Sequence, residues 1–256
     1  MKNILFFVEG VHDANCIAKI LDINNFKEIK SIDKLPDIWK RKIPRTYPFT
    51  KDRLDRYIPI PTYFINKNII VVIICANGES RLIKEIDLYV SNMNKSELSQ
   101  IKSICAIFDA DQKCAKQSFE EKFKTNMNDM IIKKSDFIKG NINIKGESIS
   151  LYNYFFPNNY QKGTLEDLLL EGAEIVYKDL LDEVNYYISS IEDKYKYNWS
   201  ISSENKVRVG CISNVFQPGS ANQNSIRHDD WISDKSIAYS KSINTFYKFI
   251  VDIIKN

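Results

Sequence analysis

The absences in this chain narrow it first. Its five cysteines, Cys16, Cys75, Cys105, Cys114 and Cys211, include no C-x-x-C pair. An odd, scattered set argues against a disulfide framework and against structural zinc, so a reducing cytoplasm is the expected compartment. No apolar run nears the ~20 residues of a membrane span; the longest is Ile69 to Ala76. Met1-Lys2-Asn3 leads straight into a strand-like segment, without the h-region and cleavage site of a secretory leader. Secretion and membrane insertion are therefore not expected. Neither sign of charge dominates, and a net +3 is too small to mark a nucleic-acid binder. There is no P-loop pattern, no internal repeat and no low-complexity tract. No Ser/His/Asp or Cys/His arrangement has a supporting context. Of the two histidines, His12 adjoins an acidic motif but reads as a surface residue at a helix start, and His228 carries no signal.

What is present is an ordinary globular composition, 44% hydrophobic and 27% charged, in a chain long enough for a proper core. Ile4 to Val8 reads as a buried strand, followed by a helix over residues 12–22. Residues 28–66 differ. They hold Pro36, Pro44, Pro48, Pro59 and Pro61 among Lys40, Arg41, Lys42, Arg45, Lys51, Arg53 and Arg56. Proline at that density excludes a long helix, so an irregular basic insertion is expected. Ile69 to Ala76 is apolar on both faces, as a covered parallel strand should be, and a helix follows from Glu79. A strand from Ile104 to Phe108 and a helix over 115–124 come next. Residues 136–148 read as loop or edge hairpin, and Leu151 to Phe156 as a fourth strand. Gly163-Thr164 opens a helix. The remainder predicts one long helix over 173–197, a possible strand at Val207 to Ile212 and a final helix over 233–255. Alternating β and α elements imply an α/β fold, a Rossmann-like core with a parallel sheet flanked by helices. The expected layout is a core over about 1–172 and a mainly helical extension over 173–256.

Two apolar runs end on acids: Ile4-Leu5-Phe6-Phe7-Val8-Glu9-Gly10-Val11-His12-Asp13 and Ile104-Cys105-Ala106-Ile107-Phe108-Asp109-Ala110-Asp111. The carboxyl ends of parallel strands meet in one crevice, where such sheets bind ligands. Carboxylates sharing a crevice repel unless a cation lies between them. Glu9, Asp109 and Asp111 are thus candidate ligands for Mg²⁺ or Mn²⁺. Asp13 either joins them or simply complements the helix dipole. In Gly163-Thr164-Leu165-Glu166-Asp167-Leu168, Asp167 fits a capping box. Glu166 is left without a structural task and becomes a further candidate ligand. A basic group should accompany such a site; Lys235, Lys241 and Arg81 are the candidates. Asp-x-Asp also occurs in sugar transferases and aspartyl-phosphate phosphatases, although Lys113 stands where the phosphatase motif carries Thr or Val.

A strand ending in Glu-Gly-x-x-Asp and a later one ending in Asp-x-Asp resemble the Toprim domain of topoisomerases, primases and OLD-type nucleases. The Phe156-Pro157…Gly163-Thr164-Leu165-Glu166-Asp167-Leu168-Leu169 segment, with Asp234-Lys235, resembles stand-alone Toprim-like proteins. The resemblance implies a single Toprim-like domain over 1–256. It also implies a metal set of Glu9, Asp13, Asp109, Asp111 and Glu166 holding two Mg²⁺ or Mn²⁺ ions, with Lys235 assisting catalysis. The activity it implies is a nuclease acting on DNA or RNA. The basic residues themselves, Lys40, Arg41, Lys42 and Arg45 of the insertion with Arg81, are candidate phosphate contacts, a solvated surface loop being the other reading of the insertion. The alternatives are a non-catalytic module of a defence or toxin system and a nucleotide-sugar transferase. No tyrosine suited to strand passage and no primase-type zinc module stands out.

Overall fold

In the computed structural model the described residues are 1–43, 60–124, 131–134 and 138–255. β1 (Lys2–Val8) runs into α1 (Val11–Ile23). β2 (Lys27–Glu28), a 3-10 turn at Ile32–Lys34 and α2 (Asp37–Lys40) follow, then a hairpin of β3 (Thr62–Asn66) and β4 (Ile69–Cys75). α3 (Glu79–Ser91) and α4 (Lys95–Leu98) lead to β5 (Ile101–Asp109) and α5 (Ala115–Lys124). β6 (Ile131–Lys134), β7 (Lys139–Ile144) and β8 (Glu147–Phe156) complete the sheet. The rest is helical: α6 (Leu165–Val176), α7 (Lys178–Ser190), α8 (Asp193–Lys196), α9 (Ile201–Phe216), α10 (Asn222–His228), α11 (Asp234–Tyr239) and α12 (Lys241–Lys255).

The strand order is β2-β3-β4-β1-β5-β8-β7-β6. The four central strands, β4, β1, β5 and β8, are parallel, and the flanking strands are antiparallel. The chain therefore has an α/β fold with a parallel core flanked by helices. Alternation along β1 explains why both faces are covered. Ile4, Phe6 and Val8 pack with α1, α6 and α12 through Ile17, Leu168 and Phe246. Leu5 and Phe7 pack with α2 and α3 through Trp39, Leu82 and Ile86. In register, Val8 lies beside Cys75, and Asp109 lies beside Phe156. These strand ends share one edge, and the acids share it with them.

The structure corrects several expectations. The Pro-rich segment ends in a regular strand, β3, paired antiparallel to β4. The segment over 173–197 is three helices. Tyr177 breaks the first pair with φ −135° and ψ 33°; its ring packs edge-on against Trp231 and beside Phe216. Val207 to Ile212 lies inside α9, where Ser200 caps the helix by accepting from the Ser203 N–H at 3.1 Å. Val209 and Ile212, three apart, are both buried there. The final helix is interrupted at Ser240, which is extended. Glu171 on α6 accepts from the Ser240 hydroxyl at 2.8 Å and the Ser242 N–H at 3.0 Å. That carboxylate satisfies an orphan donor of the first turn of α12 and so fixes a new helix start. Gly172 lets the two helices approach: an added Cβ would stand 2.5 Å from Ile243 Cδ1 and 2.9 Å from the Trp231 carbonyl. Residues 136–148 form the expected hairpin arm where described, and helices follow Gly10, Gly78, Cys114 and Thr164 as expected.

Candidate acidic site at the carboxyl edge of the sheet

Four carboxylates from four elements converge at this edge. Glu9 follows β1, and its Oε1 accepts from the Asp109 N–H at 3.2 Å. Gly10 makes the turn into α1, and its N–H donates to Asp13 Oδ2 at 2.8 Å. Asp109 ends β5, and its Oδ1 accepts from the Leu165 N–H at 2.9 Å. It thus lies at the N-terminus of α6, where the helix dipole favours an anion. Glu166, in the first turn of α6, accepts from the Thr164 hydroxyl at 2.9 Å. Its neighbour Asp167 accepts from the Thr164 N–H at 2.7 Å, the capping role expected of it. One oxygen of each of the four acids is therefore held by the chain.

Two of these groups are buried, Asp13 at 9% exposure and Glu166 at 7%, and Glu9 and Asp109 are half-buried. Burial, then the Glu9 and Glu166 charges, push the Asp13 carboxyl up to about 7, against the Gly10 hydrogen bond that lowers it. Burial first, then Asp13, Glu9 and Glu166, raise Asp109 well above the usual carboxylate range. Burial lowers the His12 imidazole, with Glu166 opposing and Lys206 reinforcing. A cavity of about 370 Å³ opens on the cluster, lined by His12, Asp13, Asp109, Glu166, Lys206 and Asn222 among others.

The predicted residues divide clearly. Glu9, Asp13, Asp109 and Glu166 are brought together. Asp111 is not. It was expected to point the same way as Asp109, but β5 stops at Asp109 and Asp111 takes φ +55°. Its backbone pairs with Gly163, N–H to carbonyl in both directions at 2.9 and 2.8 Å. That bridge turns Asp111 into a second cavity, of about 190 Å³, beside Gln112, Lys162, Thr164 and Asp167. Lys235 is exposed on α11 and lines neither cavity. The lysine of the site is Lys206 on α9, which the strand reading of that region concealed. The Ser200-x-x-Ser203 cap and the Asn205, Val209, Ile212 spacing were the signal that α9 is a helix.

The basic residues lie elsewhere. Lys40 pairs with Asp37 at 3.9 Å and Lys42 with Glu97 at 3.6 Å. Trp39, between them, donates to Asn3 Oδ1 at 2.9 Å. Lys40, Arg41 and Lys42 therefore sit by the amino end of β1, a strand length of about 23 Å from the acids. Arg81 is exposed on α3, near the carboxyl edge, but lines neither cavity. Arg45, Lys51, Arg53 and Arg56 lie outside the described residues.

The four acids offer hard oxygen donors of the kind Mg²⁺ and Mn²⁺ take. Burial first, then mutual repulsion, raises Asp13 and Asp109, and a cation relieves both, so the residues fit such an ion in chemistry. As placed, Asp13, Asp109 and Glu166 line the cavity and Glu9 stands behind it, and among the described residues no three His, Cys, Asp or Glu side chains stand close enough to share one ion. No helix among the described residues is long and apolar enough to cross a membrane.

Fold and site define an α/β protein with an open acidic cavity at the carboxyl edge of a parallel sheet. The chain belongs to the family described as "Protein of unknown function (DUF3226)", which it matches over residues 2–252. It is similar to the crystal structure of the hypothetical protein PH0156 from Pyrococcus horikoshii OT3. That likeness has a TM-score of 0.55 and 17% identity, covering 100% of this chain and 97% of that one. At that identity it speaks for the fold alone. No curated protein matches.

Proposed function

We propose that this protein performs divalent-metal-dependent phosphodiester chemistry, as a nuclease of the kind the Toprim resemblance implies. One observation carries the reading: four carboxylates from β1, α1, β5 and α6 converge, with Asp13 and Asp109 both displaced upward by burial and mutual charge. Displacement of this kind, in a cleft and beside named charge partners, makes the cluster a functional-site candidate. Glu9, Asp13, Asp109 and Glu166 would hold Mg²⁺ or Mn²⁺, which when bound supplies charge neutralisation at a phosphoryl group. Lys206 lines the same cavity and adds positive charge where a phosphoryl oxygen would lie. It takes the role first given to Lys235. His12 lines the same cavity, its imidazole held below its ordinary value by burial.

The test is cleavage of supercoiled plasmid and of structured RNA in Mg²⁺ or Mn²⁺, with Glu9→Ala and Asp109→Ala alongside. Metal-dependent cleavage is expected, reduced by about 10³-fold or more in each variant, or ~4 kcal/mol of barrier. Absence of cleavage by the wild type, or equal cleavage by the variants, sinks the proposal. The departure of Asp111 from the cluster favours a second reading, a module that binds metal or nucleic acid without turnover. Metal-dependent binding with no cleavage would select it.

A further inference from the structure

The capping box that opens α6 is tied on both sides, to Glu166 and to α9. Asp167 Oδ2 accepts from the Thr164 N–H at 2.7 Å, and Asp167 Oδ1 accepts from Asn205 Nδ2 at 2.9 Å. The Thr164 hydroxyl stands 2.9 Å from Glu166 Oε2 and 3.2 Å from Asp167 Oδ2. It has one proton to give. Asp167 Oδ2 already holds the shorter bond from the Thr164 N–H, so the hydroxyl proton goes to the nearer acceptor, Glu166.

The Asn205 amide is oriented in turn. Arg208 Nη1 donates to Asn205 Oδ1 at 3.0 Å, and Arg208 Nε donates to Asn185 Oδ1 on α7 at 2.8 Å. Arg208 Nη2 pairs with Glu204. A guanidinium has donors and no acceptor, so the Asn205 oxygen must face it and the Asn205 amino group must face Asp167. Donation therefore runs one way from α9 to α6, from Arg208 to Asn205 and from Asn205 to Asp167. Thr164 then joins Asp167 to Glu166.

A helix start does not require this much. A capping box needs Thr164 and Asp167 alone; the bond from Asn205 and the hydroxyl bond to Glu166 lie outside it. Thr164 and Asn205 are both buried. The placement is also directional. Glu166 lines the first cavity, whereas Thr164, Asp167 and Asn205 line the second. The Glu166 carboxylate is thus gripped through Oε2 from the second-cavity side, which leaves Oε1 for a ligand.

Resting on the reading of Glu166 as a cation ligand, we infer that Thr164, Asp167 and Asn205 are positioning residues of the acidic site, aiming the Glu166 carboxylate at the cation. The test is Mn²⁺ binding, followed by loss of the free-ion electron paramagnetic resonance signal, with plasmid and RNA cleavage measured beside it. Thr164→Val keeps nearly the same shape and removes the hydroxyl. It should weaken Mn²⁺ binding about 10- to 100-fold, the range that hydrogen-bond partners of a metal ligand contribute. Thr164→Ser restores the donor and should bind close to the wild type. Asn205→Ala, one link further from Glu166, should weaken binding less, by severalfold. Trp39→Phe is the control for stability alone: it removes the bond to Asn3 at the opposite edge, lowers the melting temperature and should leave Mn²⁺ binding unchanged. Melting curves check that every variant folds, and Asn205→Ala carries the test should Thr164→Val not fold.

Mn²⁺ binding unchanged in the folded variants of Thr164 and Asn205, failure of Thr164→Ser to restore it, or an equal loss in Trp39→Phe overturns the inference. The two readings fail differently. Mn²⁺ binding that depends on Thr164, with no cleavage, keeps this inference and sinks the nuclease. Metal-dependent cleavage with Mn²⁺ binding untouched in both variants does the reverse. A wild type that binds no Mn²⁺ overturns both.

Discussion

The two edges of the parallel sheet treat charge in opposite ways. At the amino edge, Lys42 is paired with Glu97 and the Trp39 indole is satisfied by Asn3. At the carboxyl edge, four acids converge, and three of them, Asp13, Asp109 and Glu166, line one cavity with Lys206 on its wall. The first edge is arranged for stability. The second carries a cost of burial and of mutual repulsion that the fold must offset elsewhere, the arrangement by which functional sites are recognised. The same sheet, with the same apolar strands, supports both because its hydrophobic faces are covered independently by two sets of helices.

Substitutions at the two edges should therefore act with opposite sign. The largest effect belongs to Trp39→Ala. It removes a fully buried indole and leaves Asn3 Oδ1 without that donor, costing about 3–5 kcal/mol. Chemical denaturation should show the loss directly; a loss below ~1 kcal/mol would mean that the amino edge does not anchor the sheet. Next comes the response to metal. Mg²⁺ at about one hundred times its Kd should stabilise the wild type by ~2.7 kcal/mol. Calorimetry should show that gain absent in Asp109→Asn; an equal gain in the variant would place the ion elsewhere.

Asp13→Asn comes third, and it should stabilise the metal-free protein. The Asn keeps an acceptor for the Gly10 N–H while removing one of the mutually repelling charges. A gain of about 2 kcal/mol at pH 8 is expected, or roughly 4–8 °C in melting temperature. The sign follows from the direction of the shift. Asp13 titrates near 3.8 unfolded and near 7 folded, so the folded state holds a proton that the unfolded state releases. Metal-free stability should thus be greatest below about pH 4 from this group and fall as pH rises to 7. A wild-type melting temperature that rises across that window, or a destabilised Asp13→Asn, would contradict the reading. The smallest effect is Lys40→Ala, which breaks a solvent-exposed ion pair with Asp37 worth less than about 1 kcal/mol. A double-mutant cycle with Asp37→Ala measures it; a coupling of several kcal/mol would show the amino edge to be as charge-dependent as the carboxyl edge.

How much of this was legible differs by element. β1, β4 and β5 were readable because each is a continuous apolar run stopped by a polar residue or turn. Glu9 and Asp109 were readable for the same reason: an acid directly after a buried strand has few structural explanations. Glu166 was reached by elimination, since Asp167 accounts for the capping box. The helical extension was harder. Tyr177 ends a helix because its ring packs against Trp231 and Phe216, and Ser240 starts another because Glu171 accepts its hydroxyl and the next turn's N–H. Neither cause is local, so no window of sequence contains it. Lys206 was missed because β-branched residues inside α9 mimic a strand, while burial of Val209 and Ile212 against other helices favours the helix.

By itself the sequence determined the alternation of strand and helix, the acids at the strand ends and the turn chemistry that places Asp13 and Asp167 at helix starts. These follow from side-chain periodicity and hydrogen bonding within a few residues. Only the tertiary structure decided which acids meet. Parallel register brings Glu9 to the Asp109 N–H, and α6 docks so that Leu165 donates to Asp109. The backbone bridge to Gly163 turns Asp111 away into the neighbouring cavity. The physical reason is the same in each case: the deciding contact joins residues far apart in the chain, and its geometry exists only once the sheet and helices have packed.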